Sequence, residues 1–251
     1  MELALIGYGK MGQEVEKAAL VRKHRIAARI DPACPDLAVS ATSAGALAGV
    51  QAAIEFTHPD VALENIRGLL SLKIPLVVGT TGWYSHLAEV TGWVAKNQTA
   101  LVYAPNFSLG VNLFYRIAEK AVSLLSAFES YDVALTELHH RHKVDSPSGT
   151  AKKLADIVLK NNPRKKRITS EALNRAIAPE ELHLISLRSG AFPGTHTLTF
   201  DSPADTIELQ HTARSRAGFA LGAVLAAEWV VGRQGIFTFD QVLEDLLKGN
   251  R

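Results

Sequence analysis

A single cysteine, Cys34, occurs in the 251 residues. One thiol cannot close an internal disulfide or build a paired thiolate metal site, and this usage fits a reducing compartment. Its setting in DPACPD, between prolines, reads as a loop and not as an activated nucleophile. Long apolar runs are missing too. The most apolar late stretch, Phe219 to Ala227, is too short for a bilayer and is followed by Glu228. The formal charge of +2 leaves no basic surplus for a nucleic-acid face. The basic run NNPRKKRIT (161–169) is expected to be a solvated turn after a helix. Repeats and low-complexity tracts are absent, and the opening MELALIGYGK reads as strand and turn, not as a leader. These absences point to a soluble cytoplasmic protein with neither membrane nor nucleic acid as partner.

What is present has the composition of a soluble globular protein, 47% hydrophobic and 21% charged. The first third alternates short apolar strands (2–6, 25–30, 51–57, 74–82, 99–107) with helical segments. Helices are expected from about Lys10 to Leu20, with Val15, Ala18 and Ala19 on one face, and after 57, carrying Val61, Ile66, Leu69 and Leu70. That alternation predicts a parallel sheet with right-handed crossovers. The rhythm changes after Asn106. A helix over 109–125 precedes longer strands at 131–140, 183–189, 195–200 and 205–213, which predict a mixed or antiparallel sheet. The apolar helix at 216–232 is expected to return to the first domain. The fold class is therefore α/β: a Rossmann-like domain over 1–106 completed by 216–251, and an α+β domain with a mixed sheet over 107–215. The stretch 168–181 has no functional reading.

GYGKMG places Gly7, Gly9 and Gly12 in a G-x-G-x-x-G pattern between a strand and a helix. Glycines there permit a tight turn and close approach of backbone N–H groups to a pyrophosphate. Tyr8, Lys10 and Met11 fill the remaining loop positions. Asp31 ends the next strand, where an acid can accept from an adenosine ribose. Asp31 favours NADH by repelling a 2′-phosphate, whereas Lys10 can attract one, so both NADH and NADPH are expected to serve. Gly79, Thr80 and Thr81 lie at the end of the fourth strand, and Ala104, Pro105, Asn106 and Phe107 at the end of the fifth. In an open parallel sheet ligands sit beyond these strand ends, which favours a nicotinamide pocket there.

The stretch ELHHRHKVDSPSGTAKKLA (137–155) is the most unusual. Histidines, Arg141 and Lys143 crowd beside Ser148-Gly149-Thr150 at a helix start. Backbone N–H groups of Gly149 and Thr150, with the hydroxyls of Ser148 and Thr150, can cradle an anion. Lys143 adds a full charge, and a histidine near neutrality can exchange a proton during turnover. This describes a site for an acidic substrate that is protonated as it reacts. A metal is not expected, because adjacent histidines on a strand point to opposite faces.

Six segments in this order, GYGKMG, EFTHP, GTTGW, APNFSLGVN, ELHHRHKVDSPSGTA and SRAGFALGA, resemble the 4-hydroxy-tetrahydrodipicolinate (dihydrodipicolinate) reductase family over nearly the whole chain. The resemblance implies NADH- or NADPH-dependent reduction of a cyclic dicarboxylate imine in lysine and diaminopimelate biosynthesis. It implies His139 as the acid/base residue and Lys143 as a proton donor that also contacts substrate. His140, Gly149 and Thr150 are implied as carboxylate contacts, and the 107–215 domain as the unit that builds a homotetramer. The sequence departs from the family pattern in its compact glycine loop and in Thr195, where an acid is common. Two other readings stay open: a related two-domain dehydrogenase, and a sensor that binds NAD(P)H without turnover.

Overall fold

Strand β1 (Glu2–Ile6) is apolar at successive positions, which suits a strand covered on both faces. Helix α1 (Lys10–Val21) follows, then β2 (Arg25–Ile30), β3 (Ala52–Glu55) and α2 (Pro59–Ser71). Next come β4 (Leu76–Val78), a 3-10 turn at Tyr84–His86, α3 (Leu87–Asn97) and β5 (Ala100–Tyr103). The computed structural model describes residues 1–32 and 45–249. Cys34 lies outside the described residues.

The chain continues through α4 (Leu109–Leu125), β6 (Asp132–His139), α5 (Gly149–Asn161), β7 (Arg167–Thr169), β8 (Glu181–Arg188), β9 (Thr195–Asp201) and β10 (Thr206–Thr212). It closes with α6 (Ala217–Val230), β11 (Gly235–Thr238) and α7 (Phe239–Leu247). Two compact units result, one formed by 1–109 with 216–251 and the other by 110–215.

In the first unit the strands run parallel in the order β11-β5-β4-β3-β1-β2. Alternate residues bury into two cores. Leu3, Leu5, Ile54, Val77 and Val102 share a cluster with α1 and α6 residues such as Val15, Ala223 and Val230. Ala4, Ile6, Leu76, Val78 and Leu101 share the other with Ile66, Leu69, Val90 and Val94 of α2 and α3. β1 lies between β2 and β3, so the order reverses beside it, and the strand ends there form the crevice of an open α/β sheet. On α2 the inward set is Ala62, Ile66, Leu69 and Leu70, whereas Val61 is exposed. Helical stepping from Ile66 back one turn reaches Ala62 and leaves Val61 to one side.

In the second unit the order is β10-β9-β6-β8-β7, antiparallel at β10-β9 and β9-β6, parallel at β6-β8 and β8-β7. One face packs under α4 and α5 through Val133, Leu135, Leu184, Leu198 and Phe200. On the opposite face Ile185 and Leu187 stay about half exposed.

The basic run after α5 departs from the solvated turn expected of it. The Lys165 ammonium is buried, donates to the Glu181 carbonyl at 2.7 Å and pairs with Asp132 at 2.6 Å. Arg164 donates to the carbonyls of Ser126 at 2.9 Å and Tyr131 at 2.7 Å. These cations satisfy backbone acceptors that would otherwise be stranded at the bottom of the sheet. The stretch 168–181 is organised in the same way by Glu181, which accepts from Arg175, Thr169 and the Ala178 N–H.

Candidate active site

The first unit gathers its predicted residues along the carboxyl edge of the sheet. β1 hands over to Gly7, whose φ is +87°. A Cβ there would lie 2.1 Å from the Phe56 carbonyl oxygen, and one at Gly12 would lie 2.3 Å from the Gly7 oxygen. Nothing but glycine fits either place. Gly9 faces open space, and the first turn of α1 carries no acid, so its N–H groups and Lys10 present a positive end to an incoming phosphate. These features fit a pyrophosphate. Asp31 directly follows β2 and accepts from the Tyr8 N–H at 2.7 Å, which ties the acid to the glycine loop. The Tyr8 hydroxyl is engaged by Glu16, which also holds Arg29.

The two remaining loops are joined by the EFTHP segment. The Phe56 ring covers Gly79, where a Cβ would lie 2.0 Å from the ring, and meets Phe107 edge-on with centroids 6.3 Å apart. Thr80 accepts from the Thr57 N–H at 2.8 Å, and Asn106 accepts from the Ser108 N–H at 2.8 Å. The Phe107 side chain is buried against Phe239, so it offers a ligand its backbone and not its ring. Thr81 and Pro105 are exposed, whereas Ala104 is buried. Glu55 went unread in the sequence. It is buried under these loops, accepts from the Thr57 N–H at 3.2 Å, and burial pushes its carboxyl above the usual 4.5.

In the second unit His139 ends β6, and His140, Lys143 and Ser148 follow in the loop to α5. Ser148 caps α5 by accepting from the Ala151 N–H at 3.1 Å, which leaves Gly149 and Thr150 in the first turn. No acid occupies that turn. Lys143 pairs with Asp145 at 2.7 Å. His140, Arg141 and His142 line a cleft of about 550 Å3 with Gly190 and Ala191. His139 is buried, and a Cβ at Gly194 would lie 3.0 Å from its Nε2, so glycine there leaves room for that ring edge.

Beneath this surface is a charged cluster that the motif reading missed. Glu137 is fully buried. It accepts from the Ser148 N–H at 3.0 Å, Ser186 Oγ at 2.7 Å and Arg188 at 2.8 Å. Its other oxygen lies 3.4 Å from His139 Nδ1 and 3.4 Å from His196 Nε2. The clues were present: Glu137 and His139 are two apart on one strand, hence on one face. One donor atom each from Glu137, His139 and His196 lie within 4.8 Å of one another, a spacing that could hold a metal ion. A cation there would have to share the carboxylate with the Arg188 guanidinium, so the cluster is read as an ion-pair network.

The network makes stability pH-dependent. Burial pushes His139 down to about 4, opposed by Glu137 and reinforced by His196, Lys143 and Arg188. Burial alone would raise the Glu137 carboxyl, but the His196 imidazole 3.4 Å away and hydrogen bonds from Ser148, Arg188 and Ser186 hold it well below the usual 4.5. Both groups bind fewer protons folded than unfolded, so acid favours the unfolded chain. Stability is expected to be complete above pH 6.5 and to fall as pH drops from 6.5 toward 4, where the unfolded His139 charges first. Thermal melts across pH 5 to 7.5 check this, and His139→Gln should flatten the decline; a flat wild-type curve would remove the coupling.

Comparison with known proteins gives matches along the chain. Residues 1–107 match the family described as dihydrodipicolinate reductase, N-terminus, and residues 110–243 match dihydrodipicolinate reductase, C-terminus. The 4-hydroxy-tetrahydrodipicolinate reductase of Christiangramia forsetii is 40% identical over 248 residues, 99% of this chain and 100% of that protein. The enzyme of the same name from Archaeoglobus fulgidus is 34% identical, covering 97% of this chain and 100% of that protein. Among solved structures, a dipicolinate-bound dihydrodipicolinate reductase from Paenisporosarcina sp. TG-14 superposes with a TM-score of 0.77 at 22% identity. That alignment covers 96% of this chain and 98% of the other.

Proposed function

The chain belongs to the dihydrodipicolinate reductase family, and from that membership we propose how its residues carry out the family's reaction. The protein is a pyridine-nucleotide-dependent oxidoreductase that reduces 4-hydroxy-tetrahydrodipicolinate to tetrahydrodipicolinate in lysine and diaminopimelate biosynthesis. The observation that carries the residue assignment is the Ser148–Thr150 turn. It has N–H groups at a helix start, no acid in its first turn, Lys143 in the loop before it and His139 at the end of the strand that leads into that loop.

The nucleotide belongs to the first unit. Gly7 to Gly12 would receive the pyrophosphate, Asp31 the adenosine ribose, and Gly79–Thr81 with Ala104–Phe107 the nicotinamide end. When bound, NADH or NADPH supplies the hydride. Both are expected to work, because Lys10 favours the phosphate-bearing form and Asp31 the other.

The dicarboxylate belongs to the second unit. Gly149 and Thr150 bind one ring carboxylate, and His140 with Lys143 the other. Hydride addition to a conjugated imine builds negative charge at the far end of the conjugated system, where a proton must arrive. In the ligand-free protein His139 is neutral at pH 7, held down to about 4. Lys143 therefore delivers the proton, and His139 acts as acid only once two substrate carboxylates draw a proton onto it. Water leaves from the hydroxylated ring, so hydride, proton and water balance the reaction.

We also propose a cytoplasmic homotetramer. The half-exposed Ile185 and Leu187 on the uncovered sheet face support association between copies. Light scattering read against the 27.1 kDa chain tests the tetramer.

A coupled assay tests the reaction. Substrate is formed in place from pyruvate and aspartate semialdehyde by a synthase, and oxidation of NADH and NADPH is followed in parallel. Consumption that requires the synthase product supports the proposal. Binding of both nucleotides without consumption would favour the sensor reading.

A further inference from the structure

Glu137 sits where the two functions assigned to the second unit meet. One oxygen receives the Ser148 N–H, Ser186 Oγ and Arg188 Nη2. Arg188 also donates to the Asp145 carbonyl at 2.6 Å, so the loop between His139 and the helix cap is fastened to the same carboxylate. The other oxygen is buried without a hydrogen-bond partner, and so is His139 Nδ1, 3.4 Å away. A carboxylate kept only to join strands would be satisfied on both oxygens, because an unpaired buried acceptor is costly. Here three donors immobilise one oxygen and leave the second 3.4 Å from both His139 Nδ1 and His196 Nε2, of which His196 also has Ser148 Oγ at 3.1 Å while His139 Nδ1 has no other partner. Strand geometry enforces this. Glu137 and His139 share a face of β6, and His196 is the cross-strand partner of Glu137 in the β6-β9 register.

We propose that Glu137 is a positioning residue for the reduction. Through one oxygen it holds the His139 imidazole with Nδ1–H inward and Nε2 outward. Through the other it locks that imidazole to the carboxylate-binding turn at Ser148. The proposal rests on the reading that this turn and His139 serve a dicarboxylate. The opposite nitrogen, Nε2, lies beside Gly194, where any side chain would crowd it at 3.0 Å. Carboxylate-fixed tautomers of this kind set which imidazole nitrogen exchanges a proton. The other titratable groups facing His139 are His196 on β9, Arg188 on β8 and Lys143 in the loop, and all three disfavour a proton on the ring. Glu137 is the opposing charge among them.

The test is Glu137→Gln in the full chain. Glutamine keeps the shape and an acceptor for the Ser148 N–H but removes the charge that faces His139. Expected results are a kcat lower by about tenfold or more, a share of the roughly 10²–10⁴-fold that positioned proton transfer contributes. Nucleotide affinity, read by NADH and NADPH fluorescence, stays unchanged. Dipicolinate binds more weakly by calorimetry. Nitrogen-15 spectra of His139 show the Nδ1–H form losing population and the titration midpoint moving further down. In a His139→Gln background the same substitution should add little to the loss of kcat.

A purely structural role gives a different pattern: lower melting temperature, with wild-type kcat in the folded fraction and unmoved His139 resonances. That result overturns the proposal. If Glu137→Gln does not fold, Ser186→Ala removes one of the three donors and is read on the same resonances. A smaller shift in the same direction supports the proposal, and no shift overturns it. Should the wild-type protein fail to reduce the substrate while Glu137→Gln still moves the His139 signals, the reaction assignment falls and the positioning role stands.

Discussion

Lys143→Ala is expected to lower kcat by about two orders of magnitude or more while NADH and NADPH bind as before. Lys143 lies in the second unit, whereas the glycine loop, Asp31 and the loops at Gly79 and Ala104 all belong to the first. Its ammonium is partly buried and pairs with Asp145 at 2.7 Å. That pair stores a charged donor beside the helix start, and an arriving carboxylate can compete for it. In the proposed assignment the ammonium is both a proton source and one attachment for the dicarboxylate, so on its loss KM should rise as kcat falls. His139 cannot replace it at neutral pH before substrate binds, since burial pushes that imidazole down to about 4. Steady-state rates with both nucleotides, alongside fluorescence titration of each, measure the split. Near-normal turnover would remove Lys143 from the chemistry.

Gly7→Ala is expected to destabilise the fold by about 2–5 kcal/mol and to abolish nucleotide binding in what remains folded. Two costs combine. A methyl at that place would lie 2.1 Å from the Phe56 carbonyl oxygen, forcing backbone apart, and overpacking of this kind costs roughly 1–3 kcal/mol. The φ of +87° adds about 1–2 kcal/mol for a side chain in the left-handed region. Any relief moves the loop whose N–H groups are to meet the pyrophosphate. Gly92→Ala is the contrast. It lies inside α3 with nothing within 4 Å of a Cβ, so it should be neutral or stabilise by about 0.5–1 kcal/mol. Urea unfolding of the two variants gives the comparison, and equal midpoints would contradict the packing argument.

The elements legible in the sequence were those whose pattern is local. The apolar runs at 2–6 and 25–30 coincide with β1 and β2, and the helix expected over 109–125 is α4. The glycine loop could be read because steric demands on backbone are written in residue type. β11 and α7 passed unread. β11 is four half-buried residues, too short for a period to show. α7 is only nine residues long, although its start carried a readable signal, a capping box from Thr238 to Gln241. The run NNPRKKRIT misled because composition cannot show distant acceptors. Arg164 and Lys165 are held by the carbonyls of Ser126, Tyr131 and Glu181, which only the folded sheet brings near.

The site divided along the same line. Histidines, Lys143 and the Ser148–Thr150 turn are contiguous and could be read together. Glu137 stood two residues from His139 but looked like an ordinary strand acid. Its importance depends on Arg188 and His196, which arrive from β8 and β9 through sheet register. Phe107 is the converse case. Its place at the end of the fifth strand was legible, but the burial of its ring against Phe239 was not.

The most direct test of the central claim follows the hydride itself. Nicotinamide cofactor carrying deuterium at both C4 positions is supplied with 4-hydroxy-tetrahydrodipicolinate in ordinary water, and the product is weighed by mass spectrometry. A dinucleotide domain serving this reduction predicts one deuterium per molecule of tetrahydrodipicolinate. Replacing Lys143 should slow the appearance of that label without changing its stoichiometry. Product without deuterium, or nucleotide bound and never oxidised in the presence of substrate, would contradict the account.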